Sequence, residues 1–350
     1  MVTIREASPA DNDKLLRLIS LAPMEGRIPL RIDRTPDFFN LIRSRGMSIT
    51  FVAEEKGRIV GCFSASQSNM IVNGNTEKVY YLADLRIEPA YQGKTVTARL
   101  LNKMGDYLRE EGADILFCTA AGGNEKVKPL FDGRASLPKF ESAGAFRVFQ
   151  IIPLARRMKP VKFEISETAM NDEVTDLYNR FHKRYQYCPA VTRENNHGNR
   201  IIVARENHKV LASLILVDMG FAKQNVLMGL PLSLKIIIFL LRFINRVVPL
   251  FNVPAINEPV RILYIRAFAY MEGRGDAFDG LIRHAGNLAY RGKYHYLAVG
   301  IHERDSIAQY FVKYLHFTFH SLGFIMSVKE NHEKICRIRE GTLFEDYSLV

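Results

Sequence analysis

Paired cysteines are the first feature that the sequence lacks. Cys62, Cys118, Cys188 and Cys336 stand far apart, and none forms the C-x-x-C spacing typical of zinc or redox sites. The first residues also lack the apolar run of a signal peptide, and they alternate as a β-strand does. We therefore predict a cytoplasmic protein with free thiols and no metal site.

A nucleic-acid recognition motif is missing too, although the chain is basic. The 350 residues include 48 Lys and Arg against 37 Asp and Glu, which gives a formal net charge of +11. These cations are scattered and are not interleaved with aromatic residues, so we predict no nucleic-acid partner. The same charge would suit a small ligand with several phosphates or an acidic membrane surface.

An internal repeat divides the sequence, which is longer than a usual single domain. Segment 52–61 (VAEEKGRIVG) has a counterpart at 203–212 (VARENHKVLA), and both are typical of a strand, a tight turn and a second strand. We predict two domains of common ancestry, residues 1–157 and 158–350. The second carries a hydrophobic helical insertion near 227–255.

This insertion is apolar almost throughout. Within 232–248 almost every residue is apolar except Lys235, Arg242, Asn245 and Arg246, and the three cations share one face at helical spacing. Because the uncharged run is short, we predict no transmembrane span. A helix packed against the other domain or an oligomer partner is the favoured interpretation. A lid over a hydrophobic chain and a peripheral membrane helix remain open alternatives.

The strongest functional pattern lies in the stretch 82–101. A strand ends at Pro89, and a turn containing Gln92 and Gly93 opens a helix that begins near Thr95. Such a turn exposes free backbone N–H groups, and the helix dipole adds positive potential. The pattern therefore indicates a site for a pyrophosphate.

This stretch resembles the signature of the GNAT superfamily of N-acetyltransferases, in which a strand and a proline precede Gln/Arg-x-x-Gly-x-Gly/Ala. Residues 92–97 (QGKTVT) keep the Gln, whereas residues 272–277 (EGRGDA) keep Gly275 and Ala277. The resemblance implies two tandem α/β (α+β) domains. Each would have a mixed, mostly antiparallel sheet that splays between its fourth and fifth strands and is flanked by helices. It also implies acetyl-CoA as the cofactor and a small or peptidic amine as the acceptor.

The resemblance further implies which residues contact coenzyme A. The pantetheine arm would pair with main chain near Leu85 and Ile87. Asn124 fits the Asn that follows the family's fifth strand, whereas Phe131 replaces the Tyr that usually protonates the leaving thiolate. The implied coenzyme-binding residues are Leu85, Ile87, Gln92, Gly93, Lys94, Thr95, Val96, Thr97 and Asn124, and in the second domain Gly273, Arg274, Gly275, Asp276 and Ala277.

No carboxylate stands plainly where a catalytic base is required. Family bases lie on the fourth strand, where Tyr81 has the expected orientation and Asp84 has the opposite one unless a bulge intervenes. In the second domain, Tyr310 is a phenol near the position of the family acid. We predict Tyr81, Asp84 and Tyr310 as catalytic candidates, although each residue would also suit an ordinary core or surface position.

Three functions remain open from the sequence. The first is an N-acetyltransferase that moves an acetyl group from acetyl-CoA to an amine, with the first domain favoured for coenzyme contact. The second is a non-catalytic acyl-CoA-binding or interaction protein whose active sites have degenerated. The third is a longer-chain acyltransferase at a membrane surface, which rests on the insertion alone. A homo-oligomer is compatible with all three.

Overall fold

The structure is a computed structural model, and it describes residues 1–21, 30–92, 95–124, 139–154, 162–229 and 251–350. The predicted helix at 232–248 and the predicted domain boundary at 157/158 lie outside these residues. The domain boundary therefore stays a prediction.

The described residues form 16 strands and six α-helices. The strands are β1 (Thr3–Glu6), β2 (Leu30–Asp33), β3 (Met47–Glu55), β4 (Arg58–Val72), β5 (Asn75–Ile87), β6 (Ile115–Ala121), β7 (Glu141–Ile151), β8 (Glu164–Thr168), β9 (Tyr187–Pro189), β10 (Arg200–Glu206), β11 (Lys209–Asp218), β12 (Gln224–Leu227), β13 (Pro259–Val260), β14 (Ile262–Tyr270), β15 (Tyr296–His302) and β16 (His316–Ser327). The helices are α1 (Asn12–Ser20), α2 (Phe39–Arg45), α3 (Val96–Glu110), α4 (Asp172–His182), α5 (Gly275–Arg291) and α6 (His332–Glu340).

One 13-stranded sheet runs through the described chain, in the order β1-β3-β4-β5-β6-β16-β7-β15-β14-β11-β10-β8, with β9 beside β4. Most neighbouring strands are antiparallel, and β5–β6 and β14–β15 are parallel. A small sheet of β13, β12 and β2 joins strands from early and late in the chain. A large, mostly antiparallel sheet flanked by helices confirms the predicted fold class.

The order of the sheet follows the same pattern from both ends. Strands β1, β3, β4, β5 and β6 form one half, and strands β8, β10, β11, β14 and β15 form the other in the corresponding order. The two middle strands are exchanged, because β7 pairs with β15 while β16 pairs with β6. Each half of the sheet is therefore completed by a strand from the opposite part of the sequence.

In both halves the parallel strand pair opens after a short register. The first pair extends from Val79↔Ile115 to Tyr81↔Phe117, after which β5 continues without β6 to Ile87. The second pair, β14–β15, also has three register positions, at residues 262–264 of β14. The splay expected between the fourth and fifth strands of each half is therefore present.

Helix α3 covers one face of the first half. It buries Val96, Leu100, Leu101, Met104 and Leu108, a stripe with helical periodicity. Each such side chain contributes roughly 1.5–3 kcal/mol when fully buried. This face fixes the first turn of α3 beside the end of β5.

The opposite face of the first half is covered by α1, α2 and a late segment of the chain. Leu15 and Leu18 of α1 and Ile42 of α2 are buried against β3 and β4. Residues 343–349 are buried as well, and Leu343 forms a bridge to Tyr187 of β9. This late segment therefore lies inside the molecule, between strands of the two halves.

Candidate functional site

Among the described residues, a groove opens in the first half where β5 leaves β6. Residues 83–87 of β5 are only partly buried, and the side chains of Leu85 and Ile87 pack toward α3. A strand edge without a neighbour presents main-chain N–H and C=O groups that an extended ligand can pair with. The groove therefore suits the arm of a ligand whose head lies at the start of α3.

The described residues at the start of α3 offer first-turn backbone donors. Gln92 is exposed, and its Nε2 donates to the carbonyl of Ile87 at 3.2 Å. Thr95 stands at the N-cap without a side-chain hydrogen bond to the helix, so the first-turn amides are not capped by it. Gly93 and Lys94 lie outside the described residues. Partial positive charge at a helix start favours an anionic group.

Three further residues of the predicted coenzyme set lie around this turn and the end of β6. Val96 is buried under the helix, whereas Thr97 is half-buried on its surface. Asn124 is exposed in the turn after β6, and its backbone N–H donates to Ala121 O at 3.1 Å. Phe131 lies outside the described residues.

A β-bulge reorients Asp84. The register between β4 and β5 shifts from Ser64↔Ala83 to Cys62↔Arg86, and Asp84 has a φ of 57°. An extra residue in one strand changes which face the neighbouring side chains occupy. Asp84 consequently leaves the α3 face and lies on the α1 and α2 face of the sheet.

The carboxylate of Asp84 is held there by a buried ion pair. Arg34 Nη1 and Nη2 donate to its two oxygens at 2.7 and 2.6 Å. The two side chains are only 8% and 5% exposed. Both oxygens of Asp84 are thus occupied by a guanidinium, a geometry that suits a brace for the bulge better than a free base.

Tyr81 occupies the point where the strands separate. Its hydroxyl lies 2.6 Å from Thr119 Oγ1 of β6, and the guanidinium of Arg45 lies 3.8 Å above its ring centroid. Burial raises the pKa of Tyr81 to about 12, although the Arg45 charge acts to lower it. Tyr81 is therefore a neutral phenol at the opening of the groove.

The corresponding groove of the second half is filled by side chains of the chain itself. A β-carbon on Gly275, the first residue of α5, would lie 1.8 Å from the hydroxyl oxygen of Tyr310. The Tyr310 ring lies edge-on to Tyr270 and Phe278, with centroids 5.8 and 5.2 Å apart. Residues 267–269 of β14 are buried. Tyr310 thus occupies the start of α5, where a pyrophosphate would have to bind.

The remaining predicted residues of the second half make contacts with their own neighbours. Gly273 has a φ of 73° in the turn. Arg274 pairs with Glu206 at 2.9 Å and with Asp276 at 3.4 Å, so its charge is already compensated. The carboxylate of Asp276 also accepts from the amide of Ala277, which is buried.

Sequence reasoning did not identify a group of buried charges between the two halves. It consists of four cations and three carboxylates, namely Arg34, Arg45, Lys223, Arg266, Asp84, Glu345 and Asp346. We call it the central charge cluster. Apart from Asp84, none of its members was predicted as a site residue, because they come from six separate places in the chain. A buried charge without a local pattern gives no signal before the tertiary structure is known.

Two members of the central charge cluster titrate near neutrality. Burial, together with the charge of the nearby Arg45, lowers the pKa of Lys223 to about 7. Burial raises the pKa of Glu345 to about 8, although Arg45 acts in the opposite direction. Lys223 Nζ donates to Tyr347 O at 3.0 Å. Burial thus moves the pKa of a lysine and that of a glutamate in this cluster toward neutrality from opposite sides.

Two other kinds of site can be assessed within the described ranges. No group of three or more His, Cys, Asp or Glu side chains in them could hold a metal ion. No helix in the same ranges is long and apolar enough to span a bilayer.

Comparison with known proteins agrees with this geometry. Residues 15–133 match the model of the Acetyltransferase (GNAT) family. A search of curated proteins gives no significant match.

Solved structures with the same fold cover nearly the whole chain. Saccharomyces cerevisiae N-myristoyltransferase with bound myristoyl-CoA aligns with a TM-score of 0.62 at 14% identity, over 93% of this chain and 82% of that one. A GCN5-related N-acetyltransferase from Anabaena variabilis aligns with a TM-score of 0.56 at 10% identity, over 94% and 73%. A probable N-acyltransferase from Enterococcus faecalis gives 0.54 at 10% identity, over 95% and 75%.

The fold is therefore that of the GNAT-type acyltransferases. More narrowly, residues 15–133 match the model of the GNAT acetyltransferase family, and they include the place where β5 and β6 separate.

Proposed function

We propose that this protein is an acyl-CoA-dependent N-acyltransferase whose thioester binds between β5 and β6. The observation that carries the proposal is made on the described residues of the part that matches the family model. There β5 continues beyond its pairing with β6, and it leads to a helix start where the N-cap residue Thr95 makes no side-chain hydrogen bond. The equivalent place in the other half is filled by Tyr310. We therefore assign one thioester site to the chain, formed by its first half.

In this proposal the parts of the thioester follow the order of the groove. The pyrophosphate binds at residues 92–97, where the dipole and first-turn amides of α3 favour an anion. The pantetheine arm pairs with main chain at 85–87. The reacting carbonyl then lies near Tyr81 and Phe117, the last paired residues before the strands separate.

The chemistry is a direct transfer. The amine attacks the thioester carbonyl, and the coenzyme leaves as a thiolate that must be protonated. Tyr81 is a neutral phenol at the opening of the groove, and it supplies a donor for the thiolate or for the developing oxyanion. Such a donor contributes a few kcal/mol of transition-state stabilisation.

The acyl group has two candidates. Acetyl-CoA is our first, on the strength of the family domain at 15–133. A longer acyl chain is the second, because the yeast N-myristoyltransferase, which binds myristoyl-CoA, aligns over 93% of this chain. The acceptor in either case is a small or peptidic amine, and we propose the cytoplasm as the location.

The test is to measure thioester binding and coenzyme release separately. Calorimetry with acetyl-CoA and myristoyl-CoA reports the affinity and the preferred chain, and a thiol assay with a panel of amines reports turnover. Binding followed by amine-dependent thiol release is the expected result. Binding without release from any amine would instead favour a non-catalytic acyl-CoA-binding protein, and no binding of either thioester would refute the proposal.

A matched pair of variants tests which half binds the coenzyme. Lys94→Gln removes a cation predicted to lie beside the pyrophosphate, and a loss of about 1 kcal/mol would weaken binding roughly fivefold. Arg274→Gln removes the equivalent cation of the second half, which is already paired with Glu206. We expect unchanged affinity for Arg274→Gln. The opposite order of effects would place the site in the second half.

A further inference from the structure

Glu345 belongs to the late segment that packs near the place where β5 and β6 separate, and its charge acts on Tyr81 to raise the pKa of that phenol. The amide of Phe344, its neighbour, donates to Tyr187 O at 2.8 Å. The Tyr187 ring stacks on Phe117 with centroids 4.7 Å apart, and Phe117 is the β6 partner of Tyr81 in the last paired position. The late segment therefore carries Glu345 to the reacting end of the proposed thioester groove.

This carboxylate differs from the others around the groove. Asp84 pairs with Arg34, and Asp346 pairs with Arg266 at 3.0 Å. Within the described ranges, Glu345 has no cation within ion-pair distance. It is 6% exposed, and its Oε2 has no hydrogen-bond partner there. A buried carboxylate oxygen without a hydrogen-bond partner lowers the stability of the fold. A catalytic role is one reason why a protein retains such a group.

Resting on the function proposed above, we propose that Glu345 is the general base that receives the acceptor amine. The acceptor amine would enter through the gap between β5 and β6 and meet Glu345 beside the ring of Tyr81, on the face of the sheet opposite α3. This face is the one that Tyr81 and Tyr187 share, because both belong to the same buried cluster, which contains no residue of α3. The thioester thus lies in the gap, and the proposed base lies on the face opposite α3.

The step balances without any other reactant. The acceptor arrives as an ammonium, and one N–H proton passes to Glu345 Oε2. The nitrogen lone pair then forms the C–N bond at the thioester carbonyl, and the C–S bond breaks with its electrons on sulfur. The second nitrogen proton neutralises the thiolate, directly or through Tyr81, and Glu345 returns its proton to solvent. The products are the amide and coenzyme A.

The charges around Glu345 set the pH at which it can act. Burial raises its pKa to about 8, Asp346 acts in the same direction, and Arg45 and a hydrogen bond from Tyr187 oppose this. Lys223, whose own pKa is lowered to about 7, also lies among these charges. Activity should therefore rise with pH as Glu345 loses its proton near pH 8.

The decisive variant is Glu345→Gln, which keeps the shape and removes the proton acceptor. With acetyl-CoA and the best amine of the panel, we expect kcat/KM to fall by roughly 10²- to 10⁴-fold and its rise through about pH 8 to disappear. The Kd for acetyl-CoA should stay within about twofold, since a proton acceptor is not a thioester contact. Glu340→Gln, an exposed change at the end of α6, is the matched control and should leave all three values unchanged.

A binding measurement tests the role of Glu345 even if no amine of the panel is acylated. Calorimetry of n-butylamine with the coenzyme-A-loaded protein should show binding to the native chain and at least tenfold weaker binding to Glu345→Gln. Equal affinities, or an unchanged rate and pH profile in Glu345→Gln, would overturn the assignment of Glu345 while the thioester site stands. Failure of the native chain to bind acetyl-CoA or myristoyl-CoA would instead overturn the proposed function. Melting curves exclude a folding defect as the cause.

Discussion

The substitution Asp84→Asn decides whether this carboxylate braces the β5 bulge or takes part in catalysis. Asn tolerates the left-handed backbone that Asp84 adopts at a φ of 57°, so the bulge itself can persist. The uncharged amide, however, leaves the guanidinium of Arg34 buried without its counter-charge. The expected result is a folded but destabilised protein.

The magnitude follows from the burial of the pair. Both side chains are more than nine-tenths buried and share two short hydrogen bonds. Removal of one partner from such a pair costs about 3–5 kcal/mol. With an unfolding entropy of about 2.1 cal/mol/K per residue, a chain of 350 residues should lose about 4–7 °C in Tm.

Calorimetric melting curves measure this change, and the double variant Arg34→Met/Asp84→Asn is its control. Because the double variant contains no unpaired charge, it should recover most of the lost Tm and retain turnover. If Asp84→Asn instead melted within about 1 °C of the native protein and lost its activity in both backgrounds, the carboxylate would be a catalyst and the brace interpretation would be refuted.

Other changes give independent expectations. Gly275→Ala should lower the free energy of unfolding by about 1–3 kcal/mol, because the new β-carbon meets the Tyr310 hydroxyl. The affinity for acetyl-CoA should stay unchanged, and a large loss of affinity would place the coenzyme at α5. Tyr81→Phe should lower kcat at least tenfold with little change in KM for the thioester, as measured by steady-state kinetics; an unchanged kcat would remove the phenol from the mechanism. Since the folded-state pKa of Glu345 is raised, its contribution to stability is complete below about pH 4.5 and is lost as pH rises through 8. Glu345→Gln should therefore flatten the decline in Tm over that window, and equal slopes would contradict the shift. Acetyl-CoA at 100 times its Kd should raise the free energy of unfolding by about 2.7 kcal/mol, as read from thermal shift, and no shift would count against binding.

Much of the fold could be predicted from local patterns. The hairpin at 52–61, the Pro89 turn and the apolar stripe of α3 depend on residues close together in the sequence, and each is present in the structure. The exchange of β7 and β16 could not be predicted. A strand carries the same alternation of side chains whichever sheet half accepts it, so a repeat in sequence does not show which neighbours its strands select.

The site divides in the same way. The turn at Gln92 could be predicted because its residues follow one another in the sequence and resemble a known phosphate-binding signature. The orientation of Asp84 was not, since a bulge depends on pairing with β4. Gly275 fits the family pattern in the sequence, yet in the structure its lack of a side chain leaves room for Tyr310. Glu345 became a candidate only in the tertiary structure, where its neighbour Phe344 bonds to Tyr187, whose ring stacks on Phe117.

The exchange of β7 and β16 also determines when each half of the sheet can finish folding. Strand β6 needs β16, whose residues lie about 200 positions later, as Ala121 and Ser321 illustrate. During synthesis the edge of β6 would stay unpaired until β16 leaves the ribosome. Separate expression of residues 1–157 should accordingly yield an aggregating fragment, and co-expression with 158–350 should rescue it by restoring both missing neighbours.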